Sequence, residues 1–190
     1  MEEGVAYLKQ LYLGPHDYHR IAERRAYDFP FAIGVVNIAR LVGAEVLLPM
    51  ALFDCCQLGE EILDGFLKED GTREHLSLDD QKRCLKASYD LRCARICQAI
   101  FIFERFVPPD DCEDSETDAM MVKDHFDEMF CSMQFHTVAY FDAWTLPKHI
   151  CQSCNDALDD RLYKQSQKVY NLLPICVGVT VAEGWPEAED

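Results

Sequence analysis

The fold class of this chain is decided by residues Ser77–Phe106, which have the sequence SLDDQKRCLKASYDLRCARICQAIFIFERF. Ser77 is a favourable N-cap, and the aspartates at 79 and 80 stabilise the positive end of a helix dipole. The first half of the segment is amphipathic with a helical period, whereas Ile96–Phe103 is apolar on nearly all sides. We therefore predict one long helix, ended by the prolines that follow it, whose second half is the centre of a helical core.

Helical signals continue on both sides of this segment, and strand signals are poor. Phe31–Val42 repeats apolar residues at helical spacing, and the glycine after it is a suitable terminator. Pro174 is expected to end the last helix, because proline has no N–H to donate. The β-prone run Ile175–Val181 is expected to form an extended tail that Trp185 anchors. The full set of predicted helices is Val5–Leu13, 15–25, Phe31–Val42, 49–58, Glu60–Leu67, 77–106, 115–130 and Ile150–Leu173.

The predicted architecture is all-α, an irregular bundle of about six to eight helices with a short extended C-terminal segment. The Asp64-Gly65 and Asp70-Gly71 pairs are interpreted as plain turns, because no alternating strand pattern surrounds them. We divide the chain into a helical segment at 1–67 and a C-terminal helical region at 68–190. The two are expected to form one continuous globular unit.

Charge and composition exclude several classes of protein. The 190 residues include 34 Asp and Glu against 18 Lys and Arg, which gives a net charge of −16. A surface of this sign repels nucleic-acid phosphates and anionic lipids. No run approaches the roughly 18 apolar residues needed to cross a bilayer. We therefore expect neither nucleic-acid binding nor membrane association, and a preference for basic protein partners.

The expected location of the protein follows from its first residues. Glu2 and Glu3 stand where a secretory signal would carry positive charge. We therefore expect an intracellular protein of the cytoplasm or the nucleus. In that environment the ten cysteines are expected to be reduced, and most of them are expected to be core residues.

Three groups of motifs, taken together, resemble one protein family. They are VVNIARLVGA at 35–44 with LLPMALFDCC at 47–56, LSLDD at 76–80 with RCL at 83–85, and Cys151-x-x-Cys154 followed by Leu172-Leu173-Pro174. In this order they resemble the C-terminal part of the BTB/POZ-domain proteins of mushroom-forming fungi. The resemblance covers roughly residues 5–185. It implies a scaffold or adaptor that binds other proteins.

A complete BTB fold begins with a sheet-containing part, whereas Val5–Gly14 of this chain resembles only the helix and turn that close that fold. Because the sheet-containing part carries the usual dimer face and scaffold contact, the resemblance argues against homodimerisation and against binding to a cullin scaffold. The sequence also has no P-loop, G-x-G-x-x-G, H-E-x-x-H or G-x-S-x-G motif. We therefore predict a non-enzymatic protein–protein interaction module whose partner the sequence does not identify.

Cys151-x-x-Cys154 is the sharpest chemical signal, because thiols three residues apart share one face of a helix. A zinc site needs about four ligands. The resembled family carries a pair of loop cysteines before this helix, and here those positions are Cys112 and Asp118. The resemblance thus implies a candidate metal-ligand set of Cys112, Asp118, Cys151 and Cys154, with Cys131, His136 or His149 as an alternative fourth ligand.

A plainer interpretation makes Cys151 and Cys154 the first members of an apolar stripe on the last helix. The sequence favours this interpretation, so we predict no cofactor and keep structural zinc as the alternative. A further alternative is a cysteine-dependent redox or metal-switch protein that uses the same two thiols. Several other candidates have structural explanations: Cys55 and Cys56 as core or boundary residues, His16 and His19 as exposed residues, residues 124–128 as a solvated helix face, and Met120, Met121 and Met129 as core residues.

Overall fold

The computed structural model describes residues 31–131, 145–182, 184 and 185, together with Ala6. Its α-helices are α1 Phe31–Val42, α2 Leu48–Cys56, α3 Leu78–Ala99, α4 Ser115–Cys131 and α5 Gln152–Cys176. Shorter elements are 3-10 turns at Glu45–Leu47 and Gly59–Leu63, strands β1 Phe66–Leu67 and β2 Arg73–Glu74, and a π-helical turn at Ile100–Glu104. The predicted all-α class is confirmed, although this part of the chain holds fewer helices than the whole chain was predicted to have.

Several predictions fall outside the described residues. They concern the helices at Val5–Leu13 and 15–25 and the three histidines His16, His19 and His136.

The long helix predicted around Ser77–Phe106 is present as α3 and the π-helical turn that continues it. The hydroxyl of Ser77 accepts the backbone N–H of Asp80 at 3.1 Å, as an N-cap should. At the other end, the Arg161 guanidinium donates to the carbonyls of Ile102 at 3.4 Å and Arg105 at 3.0 Å. These bonds occupy carbonyls that have no partner within the helix.

Phe103 lies at the centre of a buried cluster, as its sequence neighbourhood predicted. Its side chain is 1% exposed. The ring also meets the edge of the His125 ring, with a centroid distance of 5.6 Å. The buried members of the cluster are Ala99, Ile102, Phe103, Val122, Phe126, Met129 and Leu158.

The described chain forms two compact units. One contains residues up to Leu91 together with those from Tyr170 onward, and the other contains Arg92–Val169. The buried cluster around Phe103 belongs to the second unit. The expected boundary at residues 67 and 68 does not coincide with this division.

In the first unit, polar contacts surround the buried carboxylate of Asp80, which is 4% exposed. Asp80 accepts a hydrogen bond from Arg40 Nη2 at 2.7 Å, and Arg83 Nε lies 3.7 Å away. Arg40 belongs to α1 and Asp80 to the first turn of α3. The ion pair therefore connects the end of α1 to the start of α3.

The plain-turn interpretation of Asp70-Gly71 is wrong, because β1 and β2 pair as a short antiparallel hairpin around it. The Asp70 carboxylate accepts the Thr72 N–H at 2.9 Å, and Gly71 has a φ of 80°. The predicted helix Glu60–Leu67 is also wrong beyond Leu63, where the chain turns into β1. A Cβ atom on Gly65 would lie 2.6 Å from the Glu74 carbonyl oxygen, so the hairpin requires glycine there.

Pro174 does not end the last helix, because α5 continues through it to Cys176. Proline cannot donate to the carbonyl four residues before it, which belongs to Tyr170. The indole Nε1–H of Trp185 donates to that carbonyl at 3.0 Å instead. The predicted anchoring by Trp185 is thus present, but the extended tail begins after the helix and its closing turn rather than at Ile175.

All ten cysteines are free, but only four are buried, so the prediction that most belong to the core is wrong. Three others are exposed and three are half-buried. Within the described residues, no helix combines the length and the apolar composition that a bilayer span would need.

Candidate metal centre

The second unit brings together side chains from a loop and from the starts of α4 and α5. Cys112 lies in the loop before α4, where its N–H donates to the Pro109 carbonyl at 3.0 Å. Asp118 lies in the first turn of α4, and its own N–H donates to the carbonyl of Asp114. Cys151 directly precedes α5, and Cys154 is in the first turn of that helix.

Four donor atoms from these residues meet within 4.8 Å of one another. Cys112 Sγ lies 3.5 Å from Cys154 Sγ and 3.7 Å from Cys151 Sγ. It lies 3.3 Å from Asp118 Oδ2. Cys112 is therefore in contact with all three other members of the group.

The three separations that involve Cys112 Sγ are close to the edges of a zinc tetrahedron. With zinc–sulfur bonds of about 2.3 Å and zinc–oxygen bonds of about 2.0 Å, tetrahedral angles place two sulfurs about 3.8 Å apart. The same angles place a sulfur and an oxygen about 3.5 Å apart. The observed sulfur–sulfur distances of 3.5 and 3.7 Å and the sulfur–oxygen distance of 3.3 Å are each slightly shorter. The other separations in the group are within 4.8 Å, so closing a tetrahedron around a zinc ion requires side-chain movements of up to about 1 Å.

Backbone N–H groups also point at the donor atoms. The N–H of Cys154 donates to Cys151 Sγ at 3.4 Å, so the sulfur of Cys151 occupies the N-cap position of α5. The N–H of Cys151 donates to Asp118 Oδ2 at 3.1 Å. Three thiolates and one carboxylate carry more negative charge than one divalent ion neutralises, and such donors stabilise the excess.

The local environment shifts the pKa of the Asp118 carboxyl and the pKa values of two thiols in opposite directions. Hydrogen bonding, first from the Cys151 thiol, lowers the pKa of Asp118 to about 2. Desolvation raises the pKa of the Cys112 thiol, and desolvation together with the hydrogen bond to Cys112 raises the pKa of the Cys154 thiol. Without a cation, the carboxylate is therefore ionised while these thiols keep their protons.

A second layer of contacts fixes the loop. Ser153 Oγ donates to Asp111 Oδ1 at 2.5 Å, which ties the residue before Cys112 to the first turn of α5. His149 has a φ of 74°, a left-handed conformation that is uncommon for a non-glycine residue. Neither the hydrogen bond between Ser153 and Asp111 nor the left-handed conformation of His149 was predicted from the sequence.

The structure thus places all four residues of the candidate ligand set in one group. Among the described residues, neither Cys131 nor His149 belongs to it. The apolar-stripe interpretation describes Cys154, which is fully buried, better than Cys151, which is half-buried with its sulfur against Cys112.

Among the described candidates, Cys56 and the 124–128 segment have structural partners. Met129 is buried as predicted, whereas the prediction that Met120 is a core residue is wrong, because it is 57% exposed. Cys56 Sγ donates to the Cys84 carbonyl at 3.4 Å, and Cys84 Sγ donates to the Leu52 carbonyl at 3.7 Å. Neighbouring thiols and burial raise the pKa values of both, so they are protonated core residues. In the 124–128 segment, His125 Nε2 lies 2.6 Å from the Thr145 carbonyl oxygen, a contact that holds the chain beyond α4.

A cleft in the first unit lies beside the ion pair of Asp80. Arg40 and Arg83 both face that carboxylate, and Arg83 also donates to the Gly178 carbonyl. The cleft is wide open to solvent, and its cationic groups are engaged within the protein. Its lining residues are Asn37, Arg40, Ser77, Asp79, Asp80 and Arg83.

No known protein family, curated protein or solved structure matches the chain. The resemblance to fungal BTB/POZ-domain proteins therefore stays a prediction. The chemistry of the four-residue group follows from its own donor atoms and their geometry.

Proposed function

We propose that the protein is a zinc-stabilised helical interaction module, in which Cys112, Asp118, Cys151 and Cys154 hold one structural zinc ion. The observation that carries the proposal is the meeting of four donor atoms within 4.8 Å. The three separations from Cys112 Sγ are close to those of a tetrahedral site with three sulfur ligands and one oxygen ligand.

The donor set supports a structural role rather than a catalytic one. Catalytic zinc sites keep one position open for water or substrate, whereas four protein ligands close the tetrahedron. Asp118 is 5% exposed and Cys154 is fully buried, so two of the ligands are out of contact with solvent. A closed, thiolate-rich site of this kind contributes to folding free energy and carries out no reaction.

The position of the site explains what the ion stabilises. The loop before α4 has no regular secondary structure apart from turns, and the starts of α4 and α5 each supply ligands. Zinc would connect this loop and both helix starts at a single point. Residues 110–114 of this loop are all acidic apart from Cys112, so ligation would supply there the stability that burial of apolar side chains does not.

Exposed apolar side chains support the interaction part of the proposal. On α3, three of them recur at i, i+7 and i+11, which places them on one face: Leu78 at 65%, Leu85 at 52% and Tyr89 at 71% exposed. Large apolar side chains aligned on a surface are typical of binding faces.

Affinity capture tests this binding face by comparing the wild type with the variant Leu78→Ser, Leu85→Ser, Tyr89→Ser. The matched control carries Lys68→Ser, Glu69→Ser and Lys123→Ser, three exposed polar changes elsewhere.

A metal assay tests the central claim. Protein purified without added chelator should contain one zinc per chain, and cobalt substituted into the site should give the intense visible absorption of tetrahedral thiolate coordination. Chelation should lower the melting temperature, because the ligands are organised only in the folded state. Protein that lacks zinc and melts at the same temperature with and without chelator would overturn the proposal.

Matched variants separate ligation from general damage to the fold. Cys112→Ser and Cys151→Ser should each lower the melting temperature and abolish its sensitivity to chelator. The control variants Cys93→Ser and Cys97→Ser change exposed thiols on α3 and should keep both zinc and chelator sensitivity.

A further inference from the structure

We propose that Cys112 is an oxidation site whose disulfide bond with Cys154 replaces the zinc ion under peroxide. This inference rests on the zinc site proposed above and adds how that site is controlled. It starts from the central place of Cys112, whose sulfur lies within 3.7 Å of both other sulfurs of the group.

Distance favours this pair of thiols, because the sulfurs of Cys112 and Cys154 lie 3.5 Å apart whereas those of Cys112 and Cys151 lie 3.7 Å apart. Cys112 is half-buried, so a small oxidant reaches it, whereas Cys154 is completely buried and lies 3.5 Å behind it. A disulfide bond is about 2.05 Å long, so the two sulfurs must approach by about 1.5 Å. A sulfenic acid formed on Cys112 would therefore meet its resolving thiolate at once.

The competing pair, Cys151 and Cys154, is less free to move. Both residues are fixed at the start of α5, where Cys151 Sγ accepts the N–H of Cys154 as an N-cap. Cys112 lies in a loop outside the helices and can shift toward α5 without breaking a helical hydrogen bond. The bond from Cys112 to α5 consequently costs less rearrangement than a bond within α5.

The reaction balances with hydrogen peroxide as the oxidant. The Cys112 thiolate attacks one peroxide oxygen, which forms the sulfenic acid and releases hydroxide. The Cys154 thiolate then attacks the Cys112 sulfur, which forms the S–S bond and expels a second hydroxide. The two thiolates lose two electrons and the peroxide gains them. With two of its four ligands consumed, zinc leaves as the hydrated ion.

A peptide map and a zinc assay test the inference on the same sample. The protein used is the zinc-loaded variant Cys93→Ser, Cys97→Ser, Cys131→Ser, which removes the exposed thiols and keeps the site. It is treated with hydrogen peroxide, released zinc is followed with a colorimetric indicator, and the product is digested with trypsin without reduction. Trypsin separates Cys112, in the peptide Phe106–Lys123, from Cys151 and Cys154, in His149–Arg161.

The expected result is one zinc released for each cross-linked pair of these two peptides, with fragmentation placing the bond at Cys154. Addition of a thiol reductant and zinc should restore the bound ion. Zinc release with a disulfide inside His149–Arg161, with overoxidised Cys112, or with no disulfide at all would overturn the inference while leaving the zinc site intact. If the purified protein holds no zinc and its melting temperature does not respond to chelator, the proposed zinc site itself is overturned. That result is distinct from a failure of the oxidation inference alone.

Discussion

The indole of Trp185 donates a hydrogen bond to the carbonyl of Tyr170 at 3.0 Å, and its ring packs on the Tyr170 ring with a centroid distance of 4.9 Å. Pro174 cannot donate a hydrogen bond to this carbonyl, because proline lacks the N–H that an α-helix uses at that position. Trp185, fifteen residues after Tyr170, thus supplies the hydrogen bond that Pro174 cannot donate within α5. Proline is tolerated inside this helix because of that contact.

Trp185→Phe should destabilise the protein, because phenylalanine keeps an aromatic ring but loses the donor. Loss of one hydrogen bond of this kind costs about 0.5–1.5 kcal/mol. Urea unfolding would measure the change. The second variant Pro174→Ala restores a helical N–H to the Tyr170 carbonyl, so Trp185→Phe should cost less in the Pro174→Ala background. Equal costs in both backgrounds would show that the carbonyl bond has no energetic role.

Phe103→Ala should cost about 3–5 kcal/mol of unfolding free energy, because it leaves a cavity in the buried cluster of the second unit. The matched control is Phe130→Ala on α4, whose side chain is 53% exposed. Chemical denaturation should show a clearly smaller effect for the control. Comparable losses for the two variants would mean that the cluster is not the main source of stability.

Asp80→Ala should destabilise the first unit by about 1–3 kcal/mol, because Arg40 and Arg83 would lose the buried carboxylate that they face. Arg40 is itself 40% exposed, so water compensates part of the loss. The control Lys123→Ala removes an exposed pair with Asp127 and should have a clearly smaller effect, because solvent screens that pair. Thermal melts at low and high salt would distinguish the two, and a loss for Lys123→Ala as large as that for Asp80→Ala would contradict the prediction.

Zinc affinity should increase as the pH rises through neutrality. Because the pKa values of Cys112 and Cys154 are raised in the metal-free protein, zinc must displace protons from these thiols. Competition with a chelator at about pH 6 and at about pH 8 should show weaker binding at the lower value. The pKa of Asp118 is lowered to about 2, so its carboxylate adds no proton release in this range. An affinity independent of pH would indicate that thiolates do not ligate the ion.

Asp118 should also affect the stability of the metal-free protein in acid. Since its folded pKa of about 2 lies below the ordinary value of 3.8, the ionised form stabilises the fold above about pH 4. That contribution disappears as the pH falls toward 2. Asp118→Asn removes the titrating group, so the difference between wild type and variant in chelator-treated protein should shrink over the same range. A constant difference would assign the effect to other carboxylates.

The sequence was sufficient to predict the helical class and the central helix, because α3 has a strong period and clear end signals in its own residues. The hairpin was not predictable in the same way. Its strands have two residues each, and Asn37 Nδ2, thirty-seven residues earlier, holds it by donating to Glu74 Oε1 at 2.8 Å. The turn at Asp70-Gly71 was visible in the sequence, but this distant contact leaves no local pattern.

The candidate site was likewise predictable from the sequence only in part. Cys151 and Cys154 are visible as a local motif, but their spacing equally fits an apolar stripe. Cys112 and Asp118 entered the candidate set through the family resemblance alone. Only the folded chain shows that Cys112 Sγ lies within 3.7 Å of both sulfurs at the start of α5.

The separation of the cysteines along the chain also has a consequence for biosynthesis. Cys112 and Cys154 are 42 residues apart, and α5 begins between Cys151 and Cys154. At about 5–20 residues per second, a ribosome needs about 2–8 s to add that stretch. During this interval Cys112 has left the peptidyl-transferase centre while its partners do not yet exist. The speed of translation therefore sets how long the nascent Cys112 thiol stays unpaired.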